Sequence, residues 1–75
     1  SATRALDYCS GRGMRLPSRE EALAIAGTNS ESCAFPCPWE TWTSSSEGGL
    51  GWIVESTGAS FLTELGRSHG VLCVR

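Results

Sequence analysis

Seventy-five residues make one domain, 1–75, and a chain of that length buries only about 60% of its unfolded surface, so an apolar core alone leaves it marginally stable. The net charge of −2, with six arginines and no lysine, argues against nucleic acid as a partner, because no basic surface field is available to attract phosphates. No run of about eighteen apolar residues is present, so the domain itself is not expected to insert into a membrane.

In chain order, Ala2, Ala5, Leu6 and Cys9 fall at i, i+3, i+4 and i+7. That spacing predicts a first helix with one apolar face, Ser1 as its cap and Gly11 and Gly13 as its end. Pro17 stops any extension. Ser18 and Glu21 have the spacing of a capping box for a second helix over Arg19 to Ala26, punctuated by Gly27. Arg4, Arg12, Arg15 and Arg19 crowd this first quarter, but Asp7, Glu20 and Glu21 offset them, as on a solvated helical face. No leader is visible and the chain starts directly in a helix, which suggests a fragment or mature portion of a larger exported protein.

From Gly27 to Pro38 the composition turns to Gly, Thr, Asn, Ser and Pro and reads as an irregular loop. After it the period changes. Trp39 to Ser45, Gly51 to Thr57, Ser60 to Leu65 and Gly70 to Arg75 are short β-prone runs, separated by turns at Glu47-Gly48-Gly49, Thr57-Gly58 and Gly66 to His69. Alternation sends Val71 and Cys73 to one face and Leu72 and Val74 to the other. Two helices followed by a small antiparallel sheet is an α+β plan.

Cys9, Cys33, Cys37 and Cys73 are an even set in a short chain, the usage expected where thiols are oxidised and disulfides supplement a small core. They permit three connectivities. Cys33 and Cys37 flank Ala-Phe-Pro, a tight loop that a bridge would close locally, and Cys9 and Cys73 sit near the two ends, so position favours pairing them in that way. A zinc site is the competing use, but Cys9 and Cys73 each lack the second cysteine of a knuckle. His69, four residues before Cys73, is expected to be an exposed loop side chain rather than a ligand.

Tyr8-Cys9, Gly13-Met14-Arg15-Leu16-Pro17, Glu20-Glu21-Ala22-Leu23, Trp42-Thr43-Ser44-Ser45, Gly51-Trp52-Ile53-Val54 and Cys73-Val74-Arg75 follow one another in order. Together they resemble the C-type lectin-like domains that end intimin- and invasin-type outer-membrane adhesins of bacteria. The resemblance spans almost the whole chain. It implies a compact, disulfide-stapled C-type lectin-like fold, a Cys9–Cys73 bridge, core positions for Trp42 and Trp52, and a place on the bacterial cell surface, outside the cell. Two departures from the family stand out. The stretch between the second helix and the tryptophan strand is short and carries its own Cys33 and Cys37, and the acidic-amide motifs by which animal C-type lectins hold calcium are missing. Asn29 with Glu31, or Glu40 beside Thr41, offers too few oxygens for that ion, so no metal and no cofactor is expected.

Catalysis would need a nucleophile with a base, paired carboxylates or a metal. Ser44, Ser45 and Ser46 lack the Gly-x-Ser-x-Gly elbow, and His69 has only Glu64 as a nearby acid in sequence. The expected function is therefore recognition: a receptor- or ligand-binding tip domain of an adhesin, attaching the cell through a host surface protein. A lectin that binds a glycan without metal by stacking on Trp39, and a structural or phage receptor-binding cap on the same fold, are the alternatives. The expected binding surface is the Gly27 to Glu40 loop with the Ser45 to Leu50 turn, and its candidate ligand-binding residues are Trp39, Phe35, Glu40 and Asn29. Trp39 and Phe35 have two readings, presentation to a partner or packing over a Cys33–Cys37 bridge.

Overall fold

The computed structural model describes residues 1–28 and 39–75. Two helices, α1 (Ala2–Ser10) and α2 (Arg19–Thr28), precede a three-stranded antiparallel sheet of β1 (Glu40–Glu47), β2 (Leu50–Glu55) and β3 (Ser60–Glu64), ordered β1-β2-β3. The α+β plan holds. Asn29, Phe35 and the Cys33–Cys37 pairing lie outside the described residues.

Both helix starts form as their caps dictate. The Ser1 hydroxyl accepts from the Arg4 N–H at 3.3 Å. At α2 the Ser18 N–H donates to the Glu21 carboxylate at 2.8 Å while the Glu21 N–H donates back to the Ser18 hydroxyl at 3.1 Å, a reciprocal capping box. The helix runs one residue past Gly27, to Thr28. The first hairpin turns on Gly48 and Gly49, both left-handed with φ of 58° and 80°, the geometry that matches strand twist in a two-residue loop.

Register assigns the faces. Trp42, Ile53 and Phe61 stand opposite one another across the three strands, and so do Thr41, Val54 and Ser60 on the reverse face. Against the first face, Ala5 and Cys9 of α1 join Leu16, Trp42 and Ile53 in the buried core, with Ala2, Met14 and Cys73 at its margin. Leu6, expected on the same apolar stripe, is half exposed at 50%. Against the reverse face lies α2, with Ala22 and Ala26 buried.

Register also corrects the expectation for Trp52. Because Trp42 pairs with Ile53, Trp52 points to the reverse face, where it is half-buried and the Arg19 guanidinium lies 4.3 Å over its ring. Arg19 is thus an intramolecular stacking partner that also donates to the Ser60 hydroxyl at 3.2 Å, not one of a solvated arginine row.

The end of the chain differs from the expected fourth strand. Among the described residues, 70–75 do not join the sheet as a strand, and their one β-bridge is the isolated antiparallel pair of Val74 and Arg15. Side chains and single backbone groups hold the rest, and Val71, which alternation placed on one face with Cys73, is exposed. The Cys9–Cys73 disulfide forms as expected, across 64 residues of chain. Closing a loop of that length stabilises the fold by about 4 kcal/mol on the chain-entropy model.

Candidate recognition site

Trp39 enters β1 with its backbone fixed on both sides. Its N–H donates to the Ser56 hydroxyl at 3.1 Å, and its carbonyl accepts from the Ser56 N–H at 2.8 Å. The next pair along the ladder is Glu40 opposite Glu55, two carboxylates directly across from each other on one face. Like charges so placed oppose pairing. Trp39, Glu40, Glu55, Ser56 and Thr57 line a cleft of about 210 Å³. The indole is half-buried, and its Nε1 is covered without a hydrogen-bond partner among the described residues. Of the four candidate residues, the structure therefore brings Trp39 and Glu40 to one cleft and adds Glu55, which sequence reasoning did not single out. Its signal was faint: a glutamate at the end of a strand is ordinary until register sets it opposite another.

Glu40 has a second engagement. Its Oε2 accepts from His69 Nδ1 at 2.8 Å and from the Gly70 N–H at 3.1 Å. His69 is not the exposed loop side chain expected from its position. Its side chain is only 16% exposed and sits edge-on to Trp42 at 5.3 Å and to Phe61 at 5.8 Å between ring centres. A carboxylate only accepts, so Nδ1 carries a proton and, in the neutral ring, Nε2 faces the Thr63 hydroxyl at 3.4 Å as acceptor. The order hydroxyl, imidazole, carboxylate is also that of an acyl-transfer triad. Here the hydroxyl contact is long, at 3.4 Å, and the carboxylate is shared with the Gly70 backbone N–H. Structurally, the Glu40 contacts with His69 and Gly70 hold the chain as it passes from β3 across the sheet to the outer edge of β1, where the Trp42 N–H donates to the Gly70 carbonyl at 3.0 Å and the Leu72 N–H to the Thr41 hydroxyl at 2.7 Å.

A wider cleft of about 370 Å³ lies at the end of β3, lined in part by Leu62, Thr63, Glu64, Arg67 and His69. Its charges are paired internally, with Arg67 3.4 Å from Glu64. Among the described residues no group of three or more metal-ligating side chains gathers anywhere, and no helix is long and apolar enough to cross a membrane. No protein-family model matches this chain, and neither do the curated proteins or the solved structures.

Proposed function

We propose that this chain is a recognition module of a bacterial surface adhesin, a C-type lectin-like domain that attaches the cell to a host surface protein through its Trp39 end. The observation that carries this reading is the state of Trp39 itself. Trp39 lines a cleft on a backbone held at both its N–H and its carbonyl, so that its main chain is fixed before any partner arrives. Binding through such a residue loses little conformational entropy, and tryptophan is among the residues that dominate interface energies. The disulfide-closed α+β frame fits an oxidising, extracellular setting. The Glu40–His69 pair, joined also to the Gly70 N–H, fits this reading as the support that holds the last crossing of the chain beside the cleft.

Host-cell membrane proteins passed over the immobilised domain, beside a glycan array, test the reading. Capture of a protein that survives deglycosylation and is not displaced by free sugar is the expected result. A signal that free sugar abolishes would identify a lectin instead, and retention of binding in Trp39→Ala would move the surface elsewhere.

A further inference from the structure

We infer that the Trp39 cleft is a receptor for a basic side chain, an arginine presented by the partner protein; this rests on the recognition reading above and names the chemistry of what is recognised. The cleft is lined by Trp39, by two hydroxyl-bearing residues, Ser56 and Thr57, and by two glutamates, Glu40 and Glu55. Such a lining suits a planar cation, which an aromatic face attracts through its quadrupole and a carboxylate attracts through its charge.

Three features favour this occupant over an apolar or neutral one. Glu40 and Glu55 stand directly opposite each other, so the cleft holds a like-charge pair that a bound cation relieves. Glu40 is partly committed, its Oε2 taken by His69 and Gly70, whereas Glu55 has no ion-pair partner among the described residues. Glu55 is thus the carboxylate available to the guanidinium. Lastly, the same chain already uses this pairing internally: the Arg19 guanidinium lies 4.3 Å over Trp52 and donates to a serine hydroxyl, Ser60. At the candidate cleft the same residue types, a tryptophan and hydroxyl-bearing Ser56 and Thr57, stand with two glutamates, and the arginine comes from outside.

The test is an NMR titration of the full chain with Nα-acetyl-arginine methylamide, set against the citrulline counterpart, which keeps the shape and loses the charge. The arginine compound is expected to shift the Trp39 indole and the Glu55, Ser56 and Thr57 amides, leaving the Trp42 and Trp52 indoles in place. Added salt should weaken it, and Glu55→Gln should lower its affinity about threefold to fivefold, as for a partly exposed cation contact. Equal shifts from the citrulline compound, no shift at the Trp39 indole, or undiminished affinity in Glu55→Gln would each overturn the inference. Its failure is separable from that of the recognition reading. If host-protein capture is abolished in Trp39→Ala and unchanged in Glu55→Gln, the surface stands and the basic ligand falls. If capture is unchanged in both, the surface falls as well.

Discussion

Glu40 and His69, 29 residues apart, are joined by a 2.8 Å hydrogen bond that fixes the last crossing of the chain, because the same carboxylate oxygen also accepts the Gly70 N–H. One side chain thereby satisfies two donors of a segment that has no ladder of its own. Glu40→Ala leaves both donors without this acceptor, and we expect a loss of about 1–3 kcal/mol, the range for a hydrogen-bonding group left without its partner. Glu40→Gln should lose less, since its amide oxygen still accepts. Urea denaturation of the two variants checks the order; equal loss would mean that charge rather than acceptance holds the crossing.

The Glu21 carboxyl is lowered from 4.5 to about 2, chiefly by its hydrogen bond from Arg15, then by the Ser18 backbone N–H. A carboxyl whose folded value is depressed contributes stability that is present above its unfolded value and is lost as pH falls through the folded one. The expected loss from this group therefore runs from about pH 5 downward to about pH 2. Both partners are solvent-exposed, with side chains 54% and 42% accessible, so salt should shrink the part due to the ion pair. Melting temperatures of wild type and Glu21→Gln between pH 7 and pH 2 test this: the two curves should converge as pH falls, and parallel curves would count against it.

Two glycines sit where no side chain fits. A Cβ on Gly51 would lie 2.7 Å from Trp42 Cζ3 and 3.1 Å from Leu65 Cδ2, while one on Gly70 would strike the Glu40 backbone carbonyl. Side chains give way more readily than backbone. Gly51→Ala should destabilise by about 1–3 kcal/mol, as overpacking does. Gly70→Ala should cost more and should also break the hydrogen bond between Glu40 and His69. Thermal melts rank the two variants, and the His69 ring resonances report whether that bond survives. A Gly70→Ala variant as stable as wild type would mean that the crossing can move aside.

What could be read in the amino-acid string was local. Ser18 and Glu21 signal a helix start by spacing alone, Gly48-Gly49 signals a hairpin, and cysteines near the two ends suggested the bridge that forms. The failures share a cause, since each depended on a partner far along the chain. Val71 to Val74 alternate as a strand would, yet the neighbouring N–H groups find the Thr41 hydroxyl and the Arg15 carbonyl rather than a full ladder. Trp52 looked like core until the register set Ile53, not Trp52, opposite Trp42. His69 looked exposed because neither Glu40 nor Trp42 is near it in sequence. Within the candidate site Trp39 and Glu40 were legible as an aromatic and an acid leaving a proline-bracketed loop. Glu55 was not, because its place depends on strand pairing.

The three tryptophans should separate by experiment, since each occupies a different environment. Trp42 is fully buried at the centre of the core, beneath α1 and against His69. Trp42→Ala should cost about 3–5 kcal/mol of folding stability, as for large core aromatics. Trp52 is half-buried on the reverse face and covered by Arg19, so Trp52→Ala should cost less, and Arg19→Ala should remove part of the same energy rather than add to it. Trp39 is held by its backbone, through bonds to Ser56 that an alanine keeps. Its substitution should therefore disturb the fold least while weakening attachment to the captured host protein by about 2 kcal/mol or more, the behaviour of an interface hot spot. Melts and binding titrations on all three variants give a stability loss that falls from Trp42 to Trp52 to Trp39 and a binding loss concentrated at Trp39. If Trp39→Ala instead unfolds the domain as Trp42→Ala does, the indole is a structural lid, and its cleft is not where the partner binds.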